Sequence, residues 1–337
     1  MPLEAPSFWY REGSVLGTAL APLGRLYGRI AEARAARITP YRSRLPVICV
    51  GDFTVGGAGK TPTAIAIAKL LEAGGARPFI LTRGYGGANK GPLRVSEGID
   101  AAEVGDEPLL LAQAAPTMVA ADRVAGAKAI EATDASVIVM DDGFQNPSLA
   151  KDLSLIVIDA ASGIGNGLII PAGPLRAPLA AQIARADALL VIGEGSKAAT
   201  LAEAFAICGK PVLAARLVPD CDTRWLSVLP VIAFAGIGRP EKAFATIRNS
   251  GARVIATHAF GDHHRYTERE ARKLLDEAEA KKAMLVTTAK DWVRLPDVPG
   301  TALGELKHRS RPLPVALKLH EESATTELLK ARKLLGS

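Results

Sequence analysis

The chain has 337 residues, 48% of them hydrophobic and 23% charged, with a formal net charge of +6. That is enough apolar material for one large α/β unit or two modest domains; it excludes a disordered chain, and the positive balance favours an acidic partner such as a nucleotide, a phosphorylated substrate or an anionic lipid surface. Cys49, Cys208 and Cys221 lie far apart with no metal-ligand spacing, which argues against a disulfide framework or a zinc site and for a reducing cytoplasm.

Residues 1–44 form a first unit. Leu16, Leu20, Leu23, Tyr27 and Ile30 recur at helical spacing behind Phe8, Trp9 and Tyr10, with Arg25, Arg29, Arg34, Arg37, Arg42 and Arg44 between and after them. Two readings stand side by side: an amphipathic helix lying in a headgroup region, or a stripe that packs on the rest of the chain. Pro22 and Gly24 predict a kink in it. No run of eighteen apolar residues and no three-part signal peptide is present, so the chain is expected not to span a membrane.

Val47 to Val50 reads as a strand and Thr63 to Ala73, stopped by Gly74-Gly75, as a helix. Between them runs Thr54-Val55-Gly56-Gly57-Ala58-Gly59-Lys60-Thr61, a phosphate-binding loop in its strand–loop–helix setting, with Thr54 where the first glycine of the usual pattern stands. Glycines let backbone N–H groups turn toward phosphate oxygens, Lys60 reaches the β- and γ-phosphates, and Thr61 supplies a hydroxyl to Mg²⁺. A nucleoside triphosphate site is therefore expected here.

Further strands are predicted at 78–82, 117–120, 136–140, 153–159, 187–192 and 211–217, alternating with helical patterns at 107–113 and 123–132. This alternation means a mostly parallel sheet with helices on both faces. A second βα series begins at Val231 and continues at 254–256 and 284–288, so two lobes are expected, a core at 45–220 and a smaller α/β lobe at 221–337, divided near Pro219-Asp220-Cys221-Asp222.

The strand Val137-Ile138-Val139-Met140 ends in Asp141-Asp142-Gly143-Phe144-Gln145, the shape of an acid at a strand tip that holds Mg²⁺ opposite a phosphate loop. Gly105-Asp106-Glu107-Pro108 by itself reads as acids favoured at a helix N-terminus, and Phe260-Gly261-Asp262-His263-His264 by itself as a loop. Arg83, Arg123 and Arg176 sit near predicted loops or helix ends, where a guanidinium can hold a phosphate bidentately. The stiff Pro171-Ala172-Gly173-Pro174-Leu175-Arg176 run is expected to shape a site.

Together these segments, with Arg83-Gly84-Tyr85, Ala121-Asp122-Arg123 and Thr288-Ala289-Lys290-Asp291, resemble the tetraacyldisaccharide 4'-kinase family, in matching order from residue 51 to 291. The resemblance implies a P-loop NTPase-type core and Mg²⁺-dependent transfer of the γ-phosphoryl group of ATP to the 4'-hydroxyl of a tetraacylated glucosamine disaccharide 1-phosphate. It also implies a place at the cytoplasmic face of the bacterial inner membrane, where the N-terminal helix meets an anionic surface. By the same resemblance Asp106 is the catalytic base paired with His263, Lys60 and Thr61 hold phosphates and metal, Glu107, Asp141 and Gln145 surround Mg²⁺ with Asp142 nearby, and Tyr85, Arg123 and Arg176 grip the substrate. Members of the family commonly carry an acid after the Pro-Leu-Arg arginine and a proline before the late Asp-His, where this chain has Ala177 and Gly261; this bears on the grip around Arg176.

The alternative of another class is a P-loop ATPase switch that binds a membrane or a partner. Such proteins need a second lysine at the place of Val55, which argues against it. A nucleotide-regulated scaffold would bind ATP without a small-molecule acceptor. A nucleic-acid partner is not expected, because the N-terminal arginines lack interleaved stacking aromatics and no helix-turn-helix, zinc or sheet-aromatic signature occurs.

Overall fold

In a computed structural model, which describes residues 6–56 and 59–335, two sheets form. Thirteen strands are described: β1 (Val47–Gly51), β2 (Pro78–Thr82), β3 (Leu93–Arg94), β4 (Thr117–Val119), β5 (Val137–Asp141), β6 (Leu153–Asp159), β7 (Ala188–Ile192), β8 (Val212–Pro219), β9 (Val231–Ala235), β10 (Val254–Ala259), β11 (Met284–Thr288), β12 (Ser310–Leu313) and β13 (Val315–Leu319). The larger sheet has nine strands in the order β13-β8-β7-β6-β1-β5-β2-β4-β3, parallel except at its two edges, and the smaller has four parallel strands in the order β10-β9-β11-β12. The expected α/β architecture is present.

Its cause is visible in burial. β1, β2, β5 and β6 are buried at every position, as continuous apolar runs covered by helices on both faces should be. On one face the helix α2 (Lys60–Ala73) turns Ala64, Ile67, Ala68 and Leu71 onto the sheet at helical spacing. On the other face Phe53, Phe144 and Phe205 form an aromatic cluster. Each such large apolar side chain removed from water contributes about 1.5–3 kcal/mol. β1 sits centrally between β5 and β6, which sets the phosphate loop beside the Asp141 strand tip.

The end of the chain corrects the lobe boundaries. Sequence reading carries the second lobe through residue 337, but β13 returns to the first sheet antiparallel to β8, pairing Leu317 with Leu217. The following helix Glu322–Ala331 then buries Leu329, and beyond it Leu334 and Leu335, in the same core as Leu71. A five-residue strand carries no mark of which sheet it joins; pairing with β8 decides it.

The N-terminal helix α1 (Val15–Ala36) is capped by the Ser14 hydroxyl on Gly17 N–H and runs without interruption through Pro22 and Gly24. It docks by its glycines. Gly17, Gly24 and Gly28 are its buried residues and lie against Leu168, Ile169, Ala172 and Pro178. A Cβ on Gly24 would come 2.4 Å from the Ile169 carbonyl oxygen. The leucines and isoleucine of the apolar stripe therefore face away from the protein: Leu16, Leu23, Leu26 and Ile30 are each about half exposed, between 51% and 55%. Trp9 anchors the preceding turn by donating its indole N–H to Pro171 O at 3.0 Å.

Candidate active site

The phosphate loop leaves β1 through Asp52 and Phe53 and enters α2 at Lys60, with Gly59 in the left-handed region as N-cap. Gly57 and Ala58 lie outside the described residues. The Pro171–Arg176 run is the wall of this loop. Val55 N–H donates to Pro174 O at 2.9 Å, Arg176 N–H to Phe53 O at 3.0 Å, and Arg176 Nε–H to Thr54 O at 3.0 Å. Lys60 Nζ stands 2.5 Å from Asp52 Oδ2, 3.2 Å from Gly56 O and 3.7 Å from Asp142 Oδ1. Burial works against the lysine charge, but the Asp52 and Asp142 carboxylates hold its pKa above the ordinary lysine value.

Asp141 ends β5 almost fully buried, and neither of its carboxylate oxygens has a hydrogen-bond partner among the described residues. Burial, with the nearby Glu107 and Asp142 charges, pushes its pKa up to about 8. A buried acid with two unused oxygens suits a hard divalent cation. Among the described residues no three His, Cys, Asp or Glu side chains close a metal cage alone. Mg²⁺ is usually held by one or two carboxylates, waters and substrate phosphates, so this donor set fits. Asp142 follows with φ 49°, a strained backbone for a non-glycine residue, and its carboxyl is held below the usual range by Lys60, Arg176 and Arg123 against the effect of burial.

The two lobes meet at Asp106 and Glu107. Gly105, with φ 91°, ends one short helix and begins Asp106–Ala112; a Cβ there would reach within 2.3 Å of Tyr85 O, so glycine lets the chain turn and present both acids at the helix start. From the second lobe, His263 Nδ1 lies 3.3 Å from Asp106 Oδ1 and Arg294 places Nε 2.9 Å and Nη2 2.5 Å from Oδ2. Lys290 Nζ stands 2.5 Å from Glu107 Oε1. Burial opposes ionisation of Asp106, yet the His263 hydrogen bond and the Arg294 and Lys290 charges keep its carboxyl far below the usual range. His263, with φ 53° and its ring 5.2 Å from that of Tyr85, is raised by the same contact with Asp106. Arg294 is itself set by Asp291, fully buried, which accepts from Arg294 Nη1–H, Gly236 N–H and the Tyr266 hydroxyl.

The structure thus brings together Lys60, Glu107, Asp141, Asp142, Asp106 and His263, with Thr61 buried at the start of α2 next to Lys60. Three other predicted residues lie around this group. Gln145 turns away from Asp141: its amide N–H₂ donates to Gln182 Oε1 at 2.7 Å, and it lines a cleft with Tyr27 and Arg176. Arg123 is 3% exposed beneath the two aspartates, one guanidinium N–H donating to Ala120 O, so it acts on their charge from behind. Tyr85 is 60% exposed and open to a ligand. Sequence reading assigned no role to Asp52, Gln182, Lys290 or Arg294. Lys290 lies within Thr288-Ala289-Lys290-Asp291, and Arg294 follows Asp291 by three residues on one helical turn; Asp52 and Gln182 have no local signal.

The family model described as tetraacyldisaccharide-1-P 4'-kinase matches residues 16–333. A protein of Methylobacterium sp. (strain 4-46) named tetraacyldisaccharide 4'-kinase is 53% identical over 333 residues, covering 98% of this chain and 97% of the relative. One of the same name from Paramagnetospirillum magneticum is 50% identical, covering 97% and 98%. The crystal structure of LpxK from Aquifex aeolicus in complex with ATP superposes with a TM-score of 0.70 at 27% identity, covering 94% of this chain and 99% of that one.

Proposed function

The chain belongs to the tetraacyldisaccharide-1-P 4'-kinase family and is an ATP-dependent kinase that phosphorylates the 4'-hydroxyl of a tetraacylated disaccharide 1-phosphate in lipid A biosynthesis; we propose how its residues divide that work. The observation that carries the proposal is the meeting of Asp106 and Glu107 with His263, Lys290 and Arg294 at the edge of the phosphate-loop site, two lobes on one acid pair. The kinase names of the relatives set aside the ATPase-switch alternative.

Lys60 and the glycines around it cradle the β- and γ-phosphates, and Thr61 with Asp141 and Glu107 holds Mg²⁺, which supplies neutralisation of phosphate charge when bound. The 4'-hydroxyl oxygen attacks the γ-phosphorus as the bond to the β-γ bridging oxygen breaks, and the hydroxyl proton passes to Asp106. Oδ1 is the receiving atom, because Arg294 occupies Oδ2 while His263 sits at the longer 3.3 Å distance. His263 keeps the carboxylate aimed. Because the transition state spreads charge over phosphoryl oxygens, positioning and electrostatics carry most of the rate.

The acceptor enters from the α1 side. A cleft of about 250 Å³ between α1 and the phosphate loop is lined by Tyr27, Glu32, Gln145, Arg176 and Arg185 among others, and Arg176 and Arg185 give it cations for a sugar phosphate. The outward Leu16, Leu23, Leu26 and Ile30 face, with Arg25, Arg29 and Arg34 on the same helix, suits burial in an anionic headgroup region while the acyl chains stay in the bilayer. Among the described residues no helix is long and apolar enough to cross a membrane, and the proposed place is peripheral, at the cytoplasmic face of the inner membrane. Transfer of label from γ-labelled ATP to tetraacyldisaccharide 1-phosphate in micelles tests the reading: labelled lipid from wild type and none from Asp106→Ala supports it, and equal labelling by both removes Asp106 as the base.

A further inference from the structure

Asp52 is a buried charge that the reaction as derived above does not use. It is 1% exposed, directly below the phosphate loop, and its neighbouring cations are Lys60, 2.5 Å from Oδ2, and Arg176, whose Nε is 3.6 Å from Oδ1. Lys60 also has Asp142 at 3.7 Å, but that side chain is 40% exposed and shares its charge with water. The tight, desolvated partner of the loop lysine is therefore an acid of the protein itself. A carboxylate oxygen 2.5 Å from Nζ occupies one of the directions along which a phosphate oxygen would approach it.

We propose that Asp52 is an internal competitor for Lys60: in the nucleotide-free enzyme it holds the lysine, and when ATP binds, Lys60 passes to the phosphate oxygens while Arg176 becomes the counter-ion of Asp52. The inference rests on the reading of residues 54–61 as the nucleotide site. Two partly buried cations on the same acid repel one another, and the carboxylate between them relieves this. Taking Lys60 away from a buried acid is unfavourable unless another cation remains in contact, and Arg176, pinned by its bond to Thr54 O, is already in place. Lys60 is thereby held in place without nucleotide at the expense of nucleotide affinity. Asp52 is thus a positioning residue that sets how tightly ATP is held.

The test is ATP binding by titration calorimetry on the full-length enzyme in detergent micelles with Mg²⁺, together with KM for ATP and kcat for lipid phosphorylation. Asp52→Asn keeps the shape and removes the charge, and it is expected to bind ATP about ten-fold tighter, with KM for ATP falling in step. The rise in melting temperature of the variant on adding ATP should exceed that of wild type. Arg176→Gln leaves Asp52 dependent on Lys60, so ATP should bind more weakly; the double variant should bind about as tightly as Asp52→Asn alone, because the acid that needed Arg176 is gone. Unchanged or weaker ATP binding by Asp52→Asn, with kcat reduced, would overturn the proposal and make Asp52 a residue that aims Lys60 at phosphate. An Arg176→Gln loss that persists in the double variant would overturn the hand-over to Arg176. Absence of ATP binding by wild type would instead overturn the nucleotide-site reading, and the proposal with it.

Discussion

His263 and Asp106, from different lobes, meet at 3.3 Å on one carboxylate oxygen, while the other oxygen of the same group is held in the fork of Arg294. A general base contributes about 10²–10⁴-fold to a proton-transfer step. Asp106→Asn is therefore expected to lower kcat by that order, with the dissociation constant for ATP nearly unchanged. His263→Ala should lower kcat by less, since it removes only the group that aims the base. Single-turnover transfer rates beside calorimetric ATP binding distinguish these outcomes; a large rise in the ATP dissociation constant for Asp106→Asn would place that residue in nucleotide binding.

The same pair makes stability depend on pH. The pKa of His263 is raised in the folded protein, so its contribution is fully present below its unfolded value of about 6.5 and is lost as pH rises through the higher folded value. The carboxyl of Asp106 is lowered, so its contribution is present above about pH 4 and is lost only as pH falls through its folded value. The melting-temperature gap between wild type and His263→Ala should be widest near pH 5–6, on the order of the 1.5–3 kcal/mol of a charge-assisted hydrogen bond, and should narrow as pH rises through the raised folded value. A gap that widens with rising pH would contradict the sign of the His263 shift.

Asp141 works in the opposite direction. Its folded pKa of about 8 lies well above the unfolded value of about 3.9, so the folded state keeps a proton that the unfolded state has lost, and stability falls as pH rises between these two values. Without divalent cations, Asp141→Asn should melt several degrees above wild type at pH 8 and lose most of that advantage near pH 5. Mg²⁺ should raise the melting temperature of wild type with nucleotide present and do so much less in the variant. Equal responses to Mg²⁺ would remove Asp141 from the metal site.

Local pattern and tertiary placement separate in this chain. The phosphate loop and the Asp141 strand tip were legible because each motif is a strand end followed by a chemically demanding turn, and β1 beside β5 brings them together. Asp106 had no such local mark, since an acid at a helix start satisfies the dipole with no further purpose, and only the family resemblance pointed to it. Only the approach of Arg294 and His263 across some 160 to 190 positions of sequence distinguishes it, and that contact has no local signature. The surroundings of Gln145 were not legible for a related reason: they are set by Gln182, which the loop 171–178 delivers. The final strand and helix joined the first sheet by pairing with β8, a choice that apolar spacing does not encode.

On α1 the spacing of leucines was legible while the direction they face was not. The glycines decide it: at Gly24 only a residue without Cβ can approach Ile169 O, so the helix docks by its smallest side chains and presents its largest outward. Gly24→Val must push the helix off its seat, with an expected cost of about 1–3 kcal/mol from overpacking, seen as a lower melting temperature. Leu23→Glu with Ile30→Glu should leave stability within about 0.5 kcal/mol per site, because both positions are half exposed, yet should weaken binding to vesicles of anionic phospholipid. Lipid phosphorylation on vesicles should fall with that binding, while phosphorylation of acceptor in detergent micelles persists. Vesicle binding that survives both charges would mean that the outward stripe does not enter lipid, and that the arginines of the helix hold the surface by charge alone.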